Sequence, residues 1–505
     1  MFFFIASLWF FRTIKAVLFW LYLWQLKEYH IGRFFDHFRT DKGKKIFANP
    51  LFIIKVIFIP GFFLLPVFVF FALIFIYIFE ALKVLIDVMR KRTKRPILTS
   101  KTIVLLFLSL LTEVLFIFLL KLYVENILTV VFLLLLFDVL APVIVSFIVL
   151  LLQPLAVFAR NRIIKRAKEK RNRFKNLLVI GITGSYGKTS TKEFLAAILS
   201  EKLKILKTKE HQNSEVGISQ CILNDLKEEH EIFIAEMGAY NKGGIKLLCD
   251  IVKPKIGMVT GVNEQHLATF GNMENLLSAE GGEELIKSLP EDGMAFFNAK
   301  NEHCRNLYQK TLRSGSGQAR IKKFLYGESA AFSGGENILG AMAVAKELGM
   351  TDEEISRVCE KIDNKFPGIK IKKGINGLSV IDATYSANPD GVIAHLEYLK
   401  TLSKSQGKIV IVMPCLIELG KASVKVHREI GKKIGEVCDL AIITTLDKFK
   451  EIKETVGSKA MFMDNPKEIF EKVKSFCKEG DVVLLESRVS HSLERTKQLI
   501  DLLSC

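Results

Sequence analysis

The chain has eight cysteines, but no two stand at the close spacing of a zinc knuckle or a redox pair. Thiolate metal chemistry is thereby excluded, and the cysteines read as reduced small hydrophobes. Internal repeats are absent, and the one biased tract is a basic stretch from about 156 to 175. Interleaved basic and aromatic residues of the kind that track a nucleic acid are also missing, although the net charge is +18. Much of that excess flanks apolar segments, where anionic headgroups of membrane lipid are its natural partner, so no nucleic acid is expected.

What is abundant is phenylalanine: 39 of the 505 residues, with a large share in long runs of the first 155 positions that charge hardly interrupts. That is the composition of a bilayer segment rather than of a soluble core. Four apolar stretches, at about 2–24, 51–82, 102–123 and 127–153, are each long enough to cross ~30 Å of hydrocarbon as a helix. Arg12 and Lys15 interrupt the first, and no small-residue cleavage site follows, so it does not read as a signal peptide. The second contains Pro60, Gly61 and Pro66, which either kink one crossing or make a re-entrant hairpin. Glu113 and Asp138 lie inside apolar runs, where an ionisable group faces the bundle interior, pairing helices or meeting a lipid-linked substrate.

Positive residues are retained on the cytoplasmic side of a membrane. The connection containing Arg90, Arg92, Lys94 and Arg95 is therefore expected inside, as is the exit that begins with Arg160, Arg162 and Lys165. The short Val124 to Asn126 link then lies outside. Lys42, Lys44 and Lys45 also belong inside, which conflicts with a single crossing by the second stretch.

Beyond residue 175 the texture changes to short apolar runs alternating with amphipathic helical patterns, the signature of a parallel sheet covered by helices. A strand at Leu177 to Ile180 leads into Gly181-Ile-Thr-Gly-Ser-Tyr-Gly-Lys-Thr-Ser190 and then a helix over Thr191 to Glu201. A glycine-rich turn between strand and helix presents backbone N–H groups to phosphate, while Lys188 reaches the terminal phosphates and the Thr189 hydroxyl suits Mg²⁺. Gly184, Ser185, Tyr186, Gly187, Lys188, Thr189 and Ser190 are the candidate nucleotide contacts. Ile182 stands where the general phosphate-loop pattern has glycine, so the match is to the narrower TGSxGKT form.

With GITGSYGKTS come HQNSEVGIS, AEMGAYNKGGI, KPKIGMVTGVNEQHLATFG, IDATYSANPD and IELGKASVKVH in order, and together they resemble the Mur ligases over about 176–505. The resemblance implies an ATP- and Mg²⁺-dependent ligase of peptidoglycan precursor synthesis. In that chemistry a substrate carboxylate is phosphorylated and an amine then attacks the acyl phosphate. The implied partners are a muramyl peptide precursor, soluble or lipid-linked, and an amino acid or dipeptide such as D-Ala-D-Ala. With the apolar stretches and the placing of the basic segments, the expected location is the bacterial inner membrane, multi-pass, with the catalytic half in the cytoplasm. The apolar half does not share the resemblance; it stands where the family has its domain for the UDP-sugar.

By the match, Glu236 and His266 resemble metal-site residues, which with Lys188 and Glu280 form the catalytic set, and Thr189 joins them at the metal. Both follow expected strands, Ile232 to Ala235 and Ile256 to Thr260, and ligands of open α/β sheets bind at the carboxyl ends of strands. Asn213 falls in a substrate-side loop, Asn337 resembles the adenine-side asparagine and Asp382 the ribose-contacting acid. Tyr385 and Asn388 complete the substrate candidates, although Asn388-Pro-Asp before a helix over Gly391 to Lys400 is also good capping chemistry.

Three departures from the family pattern stand out. Its carbamate-bearing lysine is absent from Ser278-Ala-Glu-Gly-Gly-Glu-Glu-Leu285. Counting from His266 puts Glu280 in its place, whereas counting back from Glu284 and Leu285 puts Gly282 there; a glutamate would supply a hard oxygen ligand directly. The PGR tripeptide is Pro367-Gly368-Ile369, with Lys370 next as a point charge, and the acidic pair before the tyrosine is Asp382-Ala383. These losses leave a non-catalytic or altered-substrate membrane tether as the alternative, and a transport or signalling ATPase as a third class.

The expected architecture is a multi-span α-helical membrane domain over 1–155 and a basic juxtamembrane linker over 156–175. An α/β region follows, with a phosphate-loop central domain over 176–365 and a Rossmann-like C-terminal domain over 366–505.

Overall fold

The computed structural model describes all residues of the chain except 28, 30, 39–40, 91–92, 210–211, 314–319, 330–334, 362–369, 385–387, 403–406, 488–492 and 504–505. It divides into two units, Met1–Ala159 and Arg160–Cys505.

The first unit is helical: α1 Phe2–Leu26, α2 Ile31–His37, α3 Asp41–Phe47, α4 Pro50–Leu64, α5 Pro66–Met89, α6 Ser100–Tyr123 and α7 Ile127–Leu151, with α8 Gln153–Arg173 leading out of it. Four helices are long and apolar enough to cross a membrane: α1, α5, α6, and α7 continued into α8. The second apolar stretch of the sequence is not one helix. Pro66 lacks an N–H and pushes its predecessor out of the α region, so Leu65 sits at φ −136°, ψ 61°, ending α4 while Pro66 opens α5. The chain doubles back there: a Cβ on Gly61 would lie 3.7 Å from Val69, and Lys55 reaches Glu80 at 2.5 Å.

This hairpin removes the charge conflict read from the sequence. Lys44 and Lys45 precede one arm and Arg90 follows the other, so both basic segments lie at the same end of the unit. Other contacts gather at that end: Gln25 exchanges hydrogen bonds with the Ile97 backbone at 2.7 and 2.9 Å, and Lys101 reaches Gln153 at 3.5 Å.

The interior of this unit holds an ion-pair ring within an apolar core, and its outside is apolar as well. Lys55 bridges Glu80 and Asp138 (2.5 and 2.8 Å), and Arg12 pairs with the same two carboxylates. Four helices thus contribute one charge each to a closed ring, and Glu113 is buried near Arg12. Phe3, Phe63, Phe71, Phe75 and Phe118 point outward, whereas only Leu312, Ile417, Val424, Leu446 and Phe462 are large exposed hydrophobes among the described residues after Phe158. Asp138→Ala would leave two buried cations sharing Glu80; removing one partner of a buried pair costs about 3–5 kcal/mol. The expected outcome is a loss of that size in unfolding free energy, measured by SDS titration in mixed micelles.

The second unit holds two six-stranded sheets. The first part runs β1 Leu178–Thr183, α9 Lys188–Leu199, β2 Ile205–Lys207, α10 Glu215–Asp225, β3 Ile232–Glu236, α11 Gly244–Val252 and β4 Ile256–Val259. It continues through short helices α12 Leu267–Phe270, α13 Met273–Ser278 and α14 Glu283–Lys287 to β5 Met294–Asn298, α15 Glu302–Arg313, β6 Lys322–Tyr326, α16 Gly335–Glu347 and α17 Asp352–Lys361. The strands order as β2-β3-β1-β4-β5-β6, all parallel. Alternate residues feed two cores, Val179, Phe233, Val259 and Phe297 on one face and Ile180, Ile234, Met258 and Phe296 on the other. Burial on both faces explains why these strands read as continuous apolar runs.

The second sheet comprises β7 Lys370–Lys373, β8 Ser379–Ala383, α18 Pro389–Leu402, β9 Ile409–Met413, α19 Ser423–Val437, β10 Leu440–Ile443, α20 Phe449–Val456, β11 Ala460–Phe462, α21 Pro466–Phe476, β12 Val482–Glu486 and α22 Leu493–Leu503. Its order is β11-β10-β9-β12-β8-β7, parallel except for the β7–β8 pair.

The basic stretch after the apolar unit takes the form of helix α8. Ile164, Ala167 and Arg171 recur at helical spacing and are buried against the first sheet's layer, while Arg162, Lys165, Arg166 and Arg173 are exposed. The Arg171 guanidinium donates to the carbonyls of Val252, Phe174 and Leu177 at 2.8–3.2 Å, fastening the helix to the start of β1.

Candidate active site

Strands β1, β3 and β4 end side by side, and the loop after β1 passes over them. Gly184 adopts φ +143°, and a Cβ there would stand 2.3 Å from the Thr260 hydroxyl oxygen and 2.9 Å from the Gly261 carbonyl. Gly187, at φ +79°, caps α9 with its Cα 's missing side chain facing Asn337; a Cβ would meet the Asn337 amide oxygen at 2.5 Å. Only glycine allows this backbone to lie against both walls. Strand β1 continues to Thr183 and α9 begins at Lys188, so Gly181 to Thr183 belong to the strand and the turn itself is Gly184 to Gly187.

The loop side chains face two carboxylates. The Thr189 hydroxyl lies 3.0 Å from both oxygens of Glu236, the last residue of β3, and the Asn213 amide donates to one of them at 3.4 Å. Lys192, one turn beyond Lys188 on α9, brings a fully buried ammonium to the other oxygen at 3.0 Å. On the opposite side, Ser185 donates to Glu280 at 3.1 Å, and the His266 ring nitrogen Nδ1 lies 2.9 Å from the same carboxylate. The Lys188 ammonium is folded back onto the carbonyls of Gly184 and Ser185.

The residues of the Ser278–Leu285 segment have different tasks. Gly282 sits at φ +92° with Val259 2.5 Å from any added Cβ, and Glu284 accepts from the backbone of Gly243 and Lys246 (2.7 and 2.9 Å), holding the start of α11. Glu280 is the residue that enters the site, and it is 1% exposed. Burial alone raises a carboxyl pKa, but the charges of His266 and Lys188 and the hydrogen bonds from His266 and Ser185 outweigh it here. The folded value lies below the ordinary one, so the stabilisation is complete above ~4.3, the unfolded glutamate value, and is lost as pH falls through the folded value. Glu280 is therefore a carboxylate throughout the neutral range.

The remaining candidates are placed around this centre. Tyr186 receives a hydrogen bond from Asn301 at 3.3 Å, Ser190 is half-buried in the first turn of α9, and Asn337 accepts from Thr191 at 3.2 Å. Asn388 caps α18 by accepting from the Gly391 N–H at 2.7 Å, and its neighbour Asp390 accepts from Asn263, three residues before His266. The second sheet's Asp382 bonds locally to Thr384 (2.7 Å) and lies 3.7 Å from Lys372. Tyr385 and Pro367 to Ile369 are outside the described residues.

Lys192 was not among the residues singled out from sequence. The available signal is its i+4 spacing from Lys188, which puts both cations on one helix face.

Residues 182–343 match the Mur ligase middle domain, and residues 369–488 match the Mur ligase glutamate ligase domain. The UDP-N-acetylmuramoyl-tripeptide--D-alanyl-D-alanine ligase of Bacillus subtilis is 27% identical over 350 residues, covering 64% of this chain and 76% of its own length. The ligase of the same name from Synechocystis is 31% identical over 284 residues, covering 52% and 60%. Among solved structures, MurF from Acinetobacter baumannii shares the fold with a TM-score of 0.59 at 21% identity, covering 68% of this chain and 80% of that one. MurF from Thermotoga maritima in complex with ADP gives 0.56 at 25% identity, covering 68% and 83%.

Gly184→Ala is expected to push the loop off Thr260 and Gly261 and to weaken ADP binding at least tenfold, read by isothermal titration calorimetry on the detergent-purified protein.

Proposed function

Because the chain belongs to the Mur ligase family through the domains formed by residues 182–343 and 369–488, we propose that it is an ATP-dependent amide ligase of peptidoglycan precursor synthesis. It joins D-Ala-D-Ala or a similar amine to the carboxylate of a muramyl peptide. The observation that supports this reading best is the phosphate loop with a carboxylate on each side, Glu236 through Thr189 and Glu280 through Ser185.

The chemistry has to bring anions together: the terminal phosphoryl group of ATP and the acceptor carboxylate. Lys188 and the N–H groups at the start of α9 would offset that charge, the lysine turning outward from the carbonyls it now contacts. Transfer of the phosphoryl group to the carboxylate releases ADP; the amine then forms the amide and displaces inorganic phosphate. Asn213 on the Glu236 side, and Asn388 and Tyr385 on the second sheet's side, are the groups we assign to the substrates. Asn337 and Asp382 are assigned to the nucleoside end of ATP.

Mg²⁺ fits this set of donors only in company. Among the described residues no group of three or more histidine, cysteine or acidic side chains is arranged to hold a metal. Thr189 and Glu236 nevertheless offer hard oxygens side by side, and Mg²⁺ is usually held by one or two carboxylates together with substrate phosphates. When bound it polarises the phosphoryl oxygens. Glu280, fixed by His266, provides a second permanent carboxylate across the loop, in the place of the family's modified lysine.

The apolar unit is assigned as a multi-pass anchor in the bacterial inner membrane, with its basic end and the catalytic unit in the cytoplasm. Anionic lipid at that face complements the exposed arginines and lysines of α8. The anchor favours a lipid-linked acceptor over a soluble one, since both would then share the bilayer surface.

The test is phosphate release by the detergent-purified chain with ATP and Mg²⁺, D-Ala-D-Ala, and either the UDP-linked tripeptide precursor or its polyprenyl-linked form. The expected result is release that requires both amine and acceptor, is faster with the lipid-linked form, and falls at least a hundredfold in Glu280→Gln. Release that ignores both organic substrates would mark a simple ATPase; none at all, with ADP still bound, would mark a non-catalytic tether.

A further inference from the structure

Lys192 is a positive charge buried beside Glu236, the carboxylate assigned to a divalent cation. Its side chain has no solvent exposure, and its ammonium lies 3.0 Å from Glu236 and 3.6 Å from Glu193. A lysine so placed has no solvent to which its charge can retreat. The Glu236 oxygens are already committed: Thr189 reaches both at 3.0 Å, Asn213 one and Lys192 the other. A divalent cation arriving alone would have to displace Asn213 and Lys192 from the carboxylate and sit close to an ammonium in a site of low dielectric, where like charges repel most strongly.

Nucleotide phosphates change that balance. Their negative charge offsets Lys188 and Lys192 together, and they bring the oxygens that two protein donors cannot supply.

We propose that Lys192 is a positioning residue that holds Glu236 as an ion pair in the nucleotide-free enzyme and excludes a divalent cation until it arrives with the nucleotide's phosphates. Metal and nucleotide thus enter together, and free Mg²⁺ does not occupy the site in advance. The proposal rests on the assignment of Glu236 to the metal.

A purely structural ion pair makes the opposite prediction. If Lys192 merely ordered Glu236, neutralising it would loosen the carboxylate and weaken metal binding with or without nucleotide. If it excludes the cation, neutralising it tightens metal binding in the nucleotide-free protein alone.

The experiment is Mn²⁺ binding to the full-length protein in detergent, read from the free-ion signal in electron paramagnetic resonance, with and without ADP. In the wild type, ADP is expected to tighten Mn²⁺ binding at least tenfold. Lys192→Gln, which retains a donor to Glu236 but no charge, is expected to bind Mn²⁺ at least tenfold more tightly than wild type without nucleotide. Lys192→Arg, which keeps the charge, should stay within threefold of wild type. Unchanged or weaker nucleotide-free binding in Lys192→Gln, with the thermal midpoint preserved, overturns the proposal. Should that variant not fold, tightening of Mn²⁺ in Lys192→Arg beyond tenfold would overturn it too. Glu236→Gln separates the two levels: if it binds Mn²⁺ with ADP as well as wild type does, the assignment of Glu236 to the metal is what fails.

Discussion

Thr189 and Lys192 on α9 and Asn213 in a loop all reach the Glu236 carboxylate, and this convergence ties the phosphate loop to the sheet. A carboxylate that is 7% exposed must be met by donors or its burial is strongly unfavourable. Here every donor lies on an element with a task of its own: α9 presents the loop, the Asn213 segment leads into α10, and β3 supplies the carboxylate at its end. Around the other side Glu280 ties Ser185 to His266 in the same way. The loop is stretched between two negative anchors, with its glycines the only residues thin enough to pass between Thr260 and Asn337.

The two units apply one electrostatic rule beneath different exteriors. In the second unit apolar side chains fill both faces of each sheet, and buried charges occur at the phosphate loop and at structural joints such as Arg171 and Glu284. In the apolar unit the side chains that face outward are phenylalanine, leucine and isoleucine, and the interior carries Arg12, Lys55, Glu80 and Asp138 as a closed ring. Buried charges are met in contact, by counter-charges in the ring and at Glu236 and by backbone groups at Arg171 and Glu284.

Local chemistry was legible from sequence and distant packing was not. The glycine turn could be read because its spacing alone dictates a loop that presents N–H groups, and the four apolar stretches because length and composition decide them. The hairpin at Leu65 was one of two readings, since prolines end helices as readily as they kink them. Glu280 was ambiguous because two counts across Gly281 and Gly282 differ by two residues, and the left-handed backbone at Gly282 and the commitment of Glu284 to α11 are features of packing that neither count contains. Lys192 passed unnoticed because a lysine on a helix is ordinarily solvated, and its burial is set by β3, which lies 40 residues further on. The Asn388 segment read equally as a cap and as a substrate contact, and the hydrogen bond to Gly391 accounts for the first of these.

As an amide ligase of the proposed kind, the chain activates a carboxylate by phosphorylation rather than hydrolysing ATP with water. Oxygen tracing tests this directly: the acceptor carboxylate is labelled with ¹⁸O, and the phosphate released during turnover with ATP and D-Ala-D-Ala is analysed by mass spectrometry. The account predicts one labelled oxygen in each phosphate, because the carboxylate oxygen that takes the phosphoryl group leaves with it. Phosphate carrying no label would contradict it.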